Sequence, residues 1–388
     1  MRTVVVVTVG RSDYGICRPI LQRIRSDTRL RARLLVSGGH LSPEFGSTTA
    51  CEIEADGFDI ADRVEMLLSS DSPEGIAKSI GLGIIGFSAC YARARPDVVL
   101  VVGDRFEMYS VAVAALPFAI PVAHVHGGEL TEGAFDDALR HSITKLSHLH
   151  FVSTDAYRER VIQLGEEPWR VTVTGAPSLA NVRSMELLSP AELAKLYDLP
   201  LERPLLVTFH PVTLEYEEAE AQVNQLLKAL SAYDIPIVFS RPNADTNGRV
   251  VYRRIQEFVA TRRTARLVEN FGTQSYFSFM AWAAAMVGNS SSGIIEAPSF
   301  GLPVVNVGSR QDGRVRGPNV IDVGYDHEEI AGAISRTLRP EFRASLRGST
   351  NPYGDGTAAE QIVATLSRVE LGERLLRKRF WDIARGTD

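Results

Sequence analysis

The first half of the chain alternates short apolar runs with longer amphipathic stretches. The runs are rich in β-branched residues and apolar at consecutive positions, which is typical of strands buried on both faces of a parallel sheet. The stretches between them repeat apolar residues every three to four positions, as a helix with one buried face does. Strands are predicted at residues 3–9, 32–36, 97–102, 121–125, 149–152 and 171–173, and helices at 19–25, 106–115 and 136–146.

A proline-rich stretch at residues 176–204 interrupts this alternation, and we expect a linker there. It contains a short helical pattern with Ser189 as the N-cap and Glu192 three residues later, as in a capping box. Beyond it the alternation resumes. Strands are predicted at residues 205–209, 235–239, 265–268, 285–287 and 304–307, and helices at 217–231 and 250–261.

Alternating strands and helices predict an α/β fold with two Rossmann-like doubly wound domains. We expect an N-terminal domain at residues 1–185 and a C-terminal domain at 186–365. The residues from 358 onward form one long periodic pattern, which predicts a helical tail with a basic face, and we assign 366–388 to that tail. Ligands of such sheets bind at the carboxyl ends of the strands, so functional residues should follow the strands directly.

Composition limits the possible partners. The 42 Lys and Arg residues are outnumbered by 47 Asp and Glu, which gives a net charge of -5 and argues against nucleic acid as a partner. Three widely spaced cysteines without a Cys-x-x-Cys pattern argue against a disulfide or zinc framework. We find no apolar run of the about 18 residues that a membrane helix needs, so the prediction is a soluble, cytoplasmic protein without a membrane partner.

A Gly-x-Gly-x-x-Gly pattern at Gly81, Gly83 and Gly86 does not predict dinucleotide binding. It lies inside a helical pattern that begins at residues 72–74 and does not follow a strand, which the dinucleotide fingerprint requires. We therefore expect these glycines to serve helix packing, and no NAD cofactor is predicted.

Two candidate sites follow strands in the first half. The turn at residues 8–15 contains Gly10, Arg11 and Asp13, and its backbone amides with the arginine suit a diphosphate, although an ordinary strand-to-helix turn has the same pattern. Asp104 and Arg105 come directly after the strand at 97–102. Asp104 is either a functional carboxylate or a helix cap.

A third candidate site is the segment 124–141, which holds four acids and three histidines within eighteen residues. We predict no metal site at His124 and His126. Glu129 and Asp136 follow. The i, i+4 pairs on the next helix, Asp136 with Arg140 and Asp137 with His141, are open to interpretation as surface ion pairs. A cluster this dense is typical of a site that tunes carboxylates apart into acid and base.

The second half carries further candidates after its predicted strands. A Gly-Asn-Ser-Ser-Ser-Gly turn at 288–293 presents amides and hydroxyls to an anion, and a following helix would place Glu296 against ribose hydroxyls. A glycine-rich loop at 308–317 contains three arginines, which suits a diphosphate, a mobile lid or simply a solvated loop. The other candidates are His210 and Asn243, and the loop contributes Arg310 and Arg314.

Taken together, these segments resemble the hydrolysing UDP-N-acetylglucosamine 2-epimerases of the NeuC type. The resemblance rests on GDRFE, HVHGGELTEGAFDDALRHSITKLSHLHF, FHPVT, GNSSSGIIEAP and SRQDGRVRG, and it extends from Arg11 to Gly354. The His-Arg-Arg-Glu-Asn pattern that non-hydrolysing relatives usually carry at FHPVT is absent, which favours the hydrolysing branch.

The resemblance implies a GT-B fold with a UDP-sugar bound in a central cleft between the domains, a tail helix that crosses back to the first domain, a homodimer, and no metal or other cofactor. The helix at 106–115 is one possible dimer interface. The implied reaction removes the proton at C2 as UDP leaves from C1, and hydration of the resulting 2-acetamidoglucal gives N-acetylmannosamine for sialic-acid-type synthesis.

The resemblance also implies residue roles. Where animal relatives have Glu, this chain has His126, so the group that moves the C2 proton stays open. Acid–base roles are implied for Asp104, His126, Glu129, Asp136 and His210, with Arg105 as an orienting group; substrate binding is implied for Arg11, Asp13, Asn243, Ser290, Ser291, Glu296, Arg310 and Arg314.

Three alternatives stay open from the sequence. The same reaction on UDP-2,4-diacetamido-2,4,6-trideoxyglucose, for legionaminic acid, is the nearest, because the motifs address the nucleotide and C2 rather than C4 and C6. A GT-B glycosyltransferase shares the nucleotide cleft but gives the clustered acids no role. A non-catalytic sugar-nucleotide sensor is the third.

Overall fold

The computed structural model describes residues 1–42, 47–70, 72–131, 135–212, 215–242 and 248–383. The chain forms two compact units. The first contains Met1–Glu129, Asp136–Asn181 and the chain from Tyr353 onward, and the second contains Leu130–Phe135 and Val182–Pro352. The unit boundaries therefore fall at different residues from the predicted domain segments, since the first unit takes residues from both ends of the chain.

The first unit is built on a parallel sheet of seven strands in the order β3-β2-β1-β4-β5-β6-β7. Its central strands are the predicted apolar runs, and β4 is buried at every position, as a strand covered on both faces must be. The strands are β1 Arg2–Thr8, β2 Leu30–Ser37, β3 Ile60–Val64, β4 Val98–Val102, β5 Val122–Val125, β6 Leu149–Val152 and β7 Val171–Val173.

Seven helices are described over this part of the chain. The helices α4 and α5 begin and end at the predicted residues, because their apolar spacing is regular and unbroken. They are α1 Arg11–Arg25, α2 Ser47–Ala55, α3 Pro73–Ala94, α4 Phe106–Ala115, α5 Asp136–Leu146, α6 Asp155–Gln163 and α7 Leu179–Ser184.

The second unit repeats the plan with six parallel strands in the order β10-β9-β8-β11-β12-β13. Its strands are β8 Leu205–Thr208, β9 Ile237–Ser240, β10 Ala265–Val268, β11 Ala285–Gly288, β12 Val304–Val307 and β13 Val320–Val323. The helices are α8 Pro190–Leu196, α9 Ala219–Leu230, α10 Gly248–Ala260, α11 Gly272–Trp282, α12 Ser292–Ile295, α13 His327–Thr337 and α14 Pro340–Ser345.

Both sheets have the strand order of a Rossmann fold, so the α/β prediction with two doubly wound units is confirmed. In each sheet the chain reverses the direction in which it adds strands at one place, between β1 and β4 in the first unit and between β8 and β11 in the second. Such a switch point opens a crevice beyond the carboxyl ends of the two strands, and ligands of this fold bind there.

The strands β3 and β13 were missed by the sequence analysis. Each is an edge strand with exposed or half-buried positions, and β3 alternates in burial and carries Asp62 and Arg63. A search for continuous apolar runs passes over such strands, because only one of their faces contacts the core.

The segment expected to be a linker is partly folded into the second unit. The capping box at α8 is present as predicted, with the Ser189 side chain on the Glu192 amide and the Glu192 carboxylate on the Ser189 amide. Leu193 and Leu199 are buried in the core of the second unit with Phe279. The prolines therefore mark short connections around packed elements, and not an extended tether.

The predicted continuous C-terminal helix is wrong. The helix α15 (Ala358–Arg368) packs in the core of the first unit and ends at Arg368, and only the short α16 (Glu373–Leu376) follows. The guanidinium of Arg170 donates to the carbonyls of Leu375, Arg374 and Arg377, which satisfies carbonyls that would otherwise continue a helix. Lys378 then forms an ion pair of 2.8 Å with Glu166.

One of the described helices, α3, is long and apolar enough to cross a membrane, by length and composition alone. The sequence analysis passed over it because Gly81, Gly83 and Gly86 break the apolar run. A single helix of this kind is weak evidence, since core helices of globular proteins pass the same test. The glycines lie inside α3 as predicted: a Cβ on Gly83 would lie 2.7 Å from Met66 Cε, and one on Gly86 would lie 2.5 Å from Val64.

Candidate functional site

The switch point of the first unit carries most of the predicted acid–base residues. Arg11 and Asp13 follow β1, Asp104 and Arg105 follow β4, and the His126 segment follows β5. Parallel strands end at the same edge of a sheet, so residues that are far apart in sequence are brought together here.

Arg140 lies at the centre of this cluster. It is only 2% exposed and forms an ion pair with Asp104 through Nη2, while its Nη1 donates to the His126 carbonyl at 3.1 Å and lies 3.7 Å from Glu129 Oε2. The sequence left open whether Arg140 is half of a surface ion pair on α5, and its burial excludes that interpretation. A buried guanidinium that contacts two carboxylates holds both of them in fixed positions.

His126 and Glu129 form a buried pair. His126 Nδ1 is 2.6 Å from Glu129 Oε1, and the Ser153 hydroxyl donates to the same oxygen at 2.9 Å. A carboxylate oxygen only accepts, so Nδ1 carries a hydrogen that it donates to Glu129. His126 Nε2 is buried and has no hydrogen-bond partner among the described residues. The arrangement therefore presents a histidine oriented by a carboxylate, with one nitrogen available to a reactant.

The backbone at His126 is in the left-handed region, with φ of 65°. A residue with a side chain is strained in that region, and such strain is concentrated at functional sites. This conformation is fixed by two hydrogen bonds. The His126 amide donates to the Phe151 carbonyl, and the Arg140 guanidinium donates to the His126 carbonyl. This bend ends β5 before His126 and separates the two histidines.

His124 serves a different purpose. It is fully buried, and its Nε2 donates to the Gly103 carbonyl at 2.8 Å while its Nδ1 lies 3.3 Å from the Thr144 hydroxyl. Burial lowers the pKa of His124 to about 3, so the ring is neutral at physiological pH. The side chain thus positions the turn that presents Asp104. Within the described ranges no three His, Cys, Asp or Glu side chains are grouped so as to hold a metal ion.

Arg105 is positioned by a carboxylate that the sequence analysis did not select. Its Nε and Nη2 donate to Glu107 at 3.2 and 3.1 Å, and the Glu107 side chain is fully buried. The N-cap residue of α4 is Arg105, without a side-chain cap bond, so Asp104 is not the helix cap of the alternative interpretation. Asp104 is half-buried and directed to Arg140.

The turn before α1 places Arg11 and Asp13 in the first helical turn. Arg11 is exposed, and Asp13 is 7% exposed. Burial raises the pKa of Asp13 to about 7. Asp136 is half-buried at the start of α5, and its neighbour Asp137 lies 3.4 Å from His141, which is the i, i+4 pair that the sequence suggested.

The switch point of the second unit is organised by Asn289, which comes directly after β11. Its Oδ1 accepts from the His210 amide at 2.7 Å, and its Nδ2 donates to the His210 carbonyl at 2.8 Å. The Asn289 carbonyl in turn accepts from Arg310 at 3.2 Å and Gln311 at 2.8 Å. Burial, with a smaller contribution from Arg310, lowers the pKa of His210 well below its usual range, so its ring is neutral.

A network of hydroxyl groups lies beside Asn289. Ser292 Oγ is 2.8 Å from Ser290 Oγ and 2.7 Å from Tyr276 Oη. The helix α12 that follows this turn is only four residues long, so the expected anion-binding helix start is a short turn that carries hydroxyls, with Ser291 as its N-cap. Glu296, expected within that helix, is its C-cap and is buried.

The arginine-rich loop after β12 is not a solvated loop. Arg310 is bonded to the Asn289 carbonyl, and Arg314 donates to the carbonyl of Leu130 at 3.2 Å. Arg316 donates to Asp322 and to the carbonyls of Gln311 and Arg314. The predicted residues Thr213 and Asn243 lie outside the described residues.

Sequence reasoning missed the residues that position the others. Arg140 was seen but assigned to the surface, and Ser153, Glu107, Asn289 and Tyr276 were not selected. Asn289 and Glu107 do lie inside quoted motifs, so their place directly after a strand was the available signal. Ser153 follows β6 in the same manner.

Comparison with known proteins matches residues 22–367 to the family described as UDP-N-acetylglucosamine 2-epimerase. The GDP/UDP-N,N'-diacetylbacillosamine 2-epimerase (hydrolyzing) of Campylobacter jejuni is 38% identical over 98% of this chain and 99% of that protein. The UDP-N,N'-diacetylbacillosamine 2-epimerase (hydrolyzing) of Legionella pneumophila is 36% identical, over 97% and 99%. The polysialic acid biosynthesis protein P7 of Escherichia coli is 34% identical, over 99% and 98%.

Two solved structures show the same fold at low identity. The UDP-GlcNAc 2-epimerase of Neisseria meningitidis, bound to UDP-GlcNAc, has a TM-score of 0.82 at 18% identity, over 94% of this chain and 99% of that one. The UDP-GlcNAc 2-epimerase of Methanocaldococcus jannaschii, in complex with UDP-GlcNAc and UDP, has a TM-score of 0.79 at 16% identity, over 95% and 99%. With the family match and the full-length relatives, these findings show that the chain belongs to the UDP-N-acetylglucosamine 2-epimerase family and is an enzyme of its hydrolysing branch.

Proposed function

We propose that the enzyme converts a UDP-linked 2-acetamido sugar of gluco configuration into UDP and the free sugar of manno configuration. The observation that carries this proposal is the arrangement of His126: its Nδ1 hydrogen is directed to Glu129, and its Nε2 has no hydrogen-bond partner in the part of the chain that the structure describes. Such a side chain is suited to accept a proton from carbon once a substrate is bound, because the nearby carboxylate stabilises the imidazolium that forms.

The proposed reaction has two steps. In the first, the C2 proton moves to His126 Nε2, the C1–O bond breaks, and its electron pair leaves with the β-phosphate oxygen of UDP. In the second, water adds to C1 of the 2-acetamidoglucal and a proton returns to C2 from the opposite face. Two acid–base groups are therefore needed, and we assign the second to the carboxylates Asp104 and Asp136, with Arg105 as an orienting group and His210 as a neutral hydrogen-bonding group.

We assign nucleotide binding to the remaining predicted residues. Departure of UDP develops negative charge on the β-phosphate, and arginines or hydroxyls directed at that charge stabilise the transition state. Arg310 and the hydroxyl network around Ser290 support this role, since both lie at the second switch point. The assigned residues are Arg11, Asp13, Asn243, Ser290, Ser291, Glu296, Arg310 and Arg314.

The sugar is proposed from the relatives and not from the site. Relatives at 38% and 36% identity carry the name of the diacetylbacillosamine enzyme, and the one at 34% is named for polysialic acid biosynthesis. We therefore propose UDP-N,N'-diacetylbacillosamine, the 2,4-diacetamido-2,4,6-trideoxyglucose nucleotide, as the substrate to test first. UDP-N-acetylglucosamine is the second candidate.

The test is a comparison of sugar nucleotides in D₂O, followed by NMR. The purified enzyme is given UDP-N,N'-diacetylbacillosamine, its GDP counterpart and UDP-N-acetylglucosamine in separate reactions. We expect release of the nucleoside diphosphate and a manno-configured sugar with deuterium at C2, fastest from the first compound. Product without deuterium at C2 would contradict the proposed proton transfer, and release from none of the three would contradict the proposed function. Turnover that requires an added acceptor sugar would indicate a glycosyltransferase instead.

We further propose that the enzyme is a homodimer, but through a different surface from the one expected. Most of α4 is buried inside the first unit, so it is not available as an interface. Large apolar side chains are exposed nearby on α3, where Ile85 is 68% exposed and Leu82 is 42% exposed. Light scattering should give twice the monomer mass, and Ile85→Glu should reduce it to that of a monomer, while Glu74→Lys on the same helix should not. A monomer in the unmodified chain would contradict the proposal.

A reducing, cytoplasmic location is proposed because Cys17, Cys51 and Cys90 are all free thiols.

A further inference from the structure

Asp13 is a buried carboxyl group without a hydrogen-bond partner in the described structure. It lies in the first turn of α1 and is 7% exposed, and its Oδ2 has no partner. The carboxyl folds back toward the turn that begins the helix, since a Cβ on Gly10 would lie 3.7 Å from Oδ2. Asp13 is the third residue of α1, where the acid of a capping box bonds back to the amide of the N-cap residue, but its Oδ2 forms no such bond to Gly10.

The charged groups that face Asp13 are engaged elsewhere. Arg105 is bonded to Glu107 through two nitrogens, and Asp104 is paired with Arg140. Glu107 and Asp104 add negative charge near Asp13, and Arg105 opposes them. On its own helix the neighbouring titratable group is the buried thiol of Cys17, whose pKa is raised by burial. Burial is the main reason that the pKa of Asp13 is raised to about 7.

The same turn is where a phosphate group would be bound. The amides at the start of a 15-residue helix and the exposed guanidinium of Arg11 both favour an anion. An ionised carboxylate directed into that place would repel the anion, whereas a protonated one would donate a hydrogen bond to it. An added negative charge also raises the pKa of a carboxyl group beside it.

We propose that Asp13 is protonated when the diphosphate of the nucleotide is bound, and that it donates a hydrogen bond to a phosphate oxygen, so that binding takes up a proton. The proposal rests on the proposed function for the identity of the ligand. It makes Asp13 a binding residue, and its protonation couples affinity to pH. Above pH 7 the affinity of the enzyme for UDP should fall by up to about tenfold per pH unit, because each binding event must first protonate the carboxylate.

The experiment is titration of UDP into the enzyme by calorimetry at pH 8, in two buffers with different ionisation enthalpies. The second ionisation of the terminal phosphate of UDP has a pKa of about 6 and is therefore complete at pH 8. We expect an uptake of about 0.5–1 proton per UDP bound in the unmodified enzyme, since free Asp13 is mostly ionised there. The isosteric Asp13→Asn variant should take up no proton when it binds UDP. Its affinity for UDP should be independent of pH between pH 6.5 and 8.5.

The matched control is Asp56→Asn. Asp56 also contacts α1, through Tyr14 and Arg18, but at the solvent side of the helix. This variant should take up protons as the unmodified enzyme does. No proton uptake in the unmodified enzyme, or equal uptake in the Asp13→Asn variant, would overturn the inference while leaving the enzyme's proposed reaction intact. Absence of UDP binding in all three proteins would contradict the proposed function instead.

Discussion

Gly103 and Gly288 occupy corresponding places at the switch points of two sheets with the same central topology, and the residues that follow them differ in one group. In the first unit Asp104 follows, and its carboxylate is paired with the buried Arg140. In the second unit Asn289 follows, and its amide is bonded to both backbone groups of His210.

The difference extends to the surroundings of each residue. Around Asp104 lie acidic and basic side chains in ion pairs, whereas around Asn289 lie a neutral histidine and a network of hydroxyls. Carboxylates and a histidine in fixed positions are suited to proton transfer, and neutral amides and hydroxyls bind an anion without competing charge. One fold therefore supplies both the proton-transfer site and the nucleotide site that we propose. The two sites differ in the side chain that follows the switch-point glycine.

The largest effect is expected from Arg140→Met. The buried carboxylate of Glu129 and the half-buried carboxylate of Asp104 lose their shared counter-ion, so we expect a loss of about 3–5 kcal/mol in the free energy of unfolding and a decrease of about 10²–10⁴-fold in kcat. Urea unfolding and steady-state kinetics measure both. The control is Arg18→Met, which removes a partly exposed pair with Asp56 and should cost about 0–1 kcal/mol. Equal effects of the two variants would contradict the central role of Arg140.

The second prediction concerns opposite pH dependences in the two units. The pKa of Asp13 is raised to about 7, so its contribution to stability is present below pH 4 and is lost as the pH rises through 7. Asp13→Asn should therefore raise the melting temperature at pH 8 and leave it unchanged at pH 4. The gain in the free energy of unfolding at pH 8 should be up to about 4 kcal/mol.

His210 should behave in the reverse sense. Its pKa is lowered, so its contribution is present above pH 6.5 and is lost as the pH falls. His210→Gln should reduce the sensitivity of the melting temperature to acid. The test is to measure the melting temperatures of both variants by calorimetry from pH 4 to pH 8.5. If the two substitutions changed the pH dependence of the melting temperature in the same direction, the prediction would be contradicted.

The two switch-point glycines give the third prediction. Gly288 has φ of 135°, and a Cβ there would lie 1.9 Å from the Thr208 carbonyl oxygen. Gly103 has φ of 73°, but no atom lies within 4 Å of the added Cβ. Gly288→Ala should therefore cost at least about 3 kcal/mol in stability and Gly103→Ala about 1 kcal/mol. Chemical unfolding of the two variants measures both costs. A cost for Gly288→Ala that is no larger than that for Gly103→Ala would contradict the prediction and would indicate that backbone conformation alone determines the cost.

The last prediction concerns Asn289→Ala. The amide and the carbonyl of His210 both lose a buried partner, which should cost about 2 kcal/mol in stability. We expect the KM for the sugar nucleotide to rise more than kcat falls, because the second unit binds the nucleotide in our proposal. A fall in kcat with an unchanged KM would instead move Asn289 into the proton-transfer machinery.

The sequence was sufficient for the fold where burial is two-sided. Continuous valine runs such as β4 and regular helices such as α5 were predicted at or near their observed bounds, because their patterns depend on local contacts alone. The edge strand β3 and the end of α15 were not, since an edge strand is apolar on one face only and the periodic pattern continues past Arg368, where α15 ends.

The candidate site was predictable in part for a similar reason. Residues that follow strands, such as Asp104 and His210, are marked by their position in the pattern. The partner of each is not marked, because the Arg140 to Asp104 pair spans α4 and β5, and the left-handed backbone at His126 has no signature in an amino acid other than glycine. Geometry of this kind is set by packing across the sheet.

The C-terminal segment has a consequence for how the enzyme is made. Residues after Tyr353 complete the core of the first unit, through Ile362 and Leu366 of α15, and Arg2 of the first strand donates to the Leu366 carbonyl. During synthesis the first unit therefore leaves the ribosome with part of its hydrophobic surface uncovered, while the second unit, which apart from Leu130–Phe135 is continuous in sequence, is able to fold as soon as it emerges. The surroundings of His126 would then be completed last, although His126 lies in the first third of the chain.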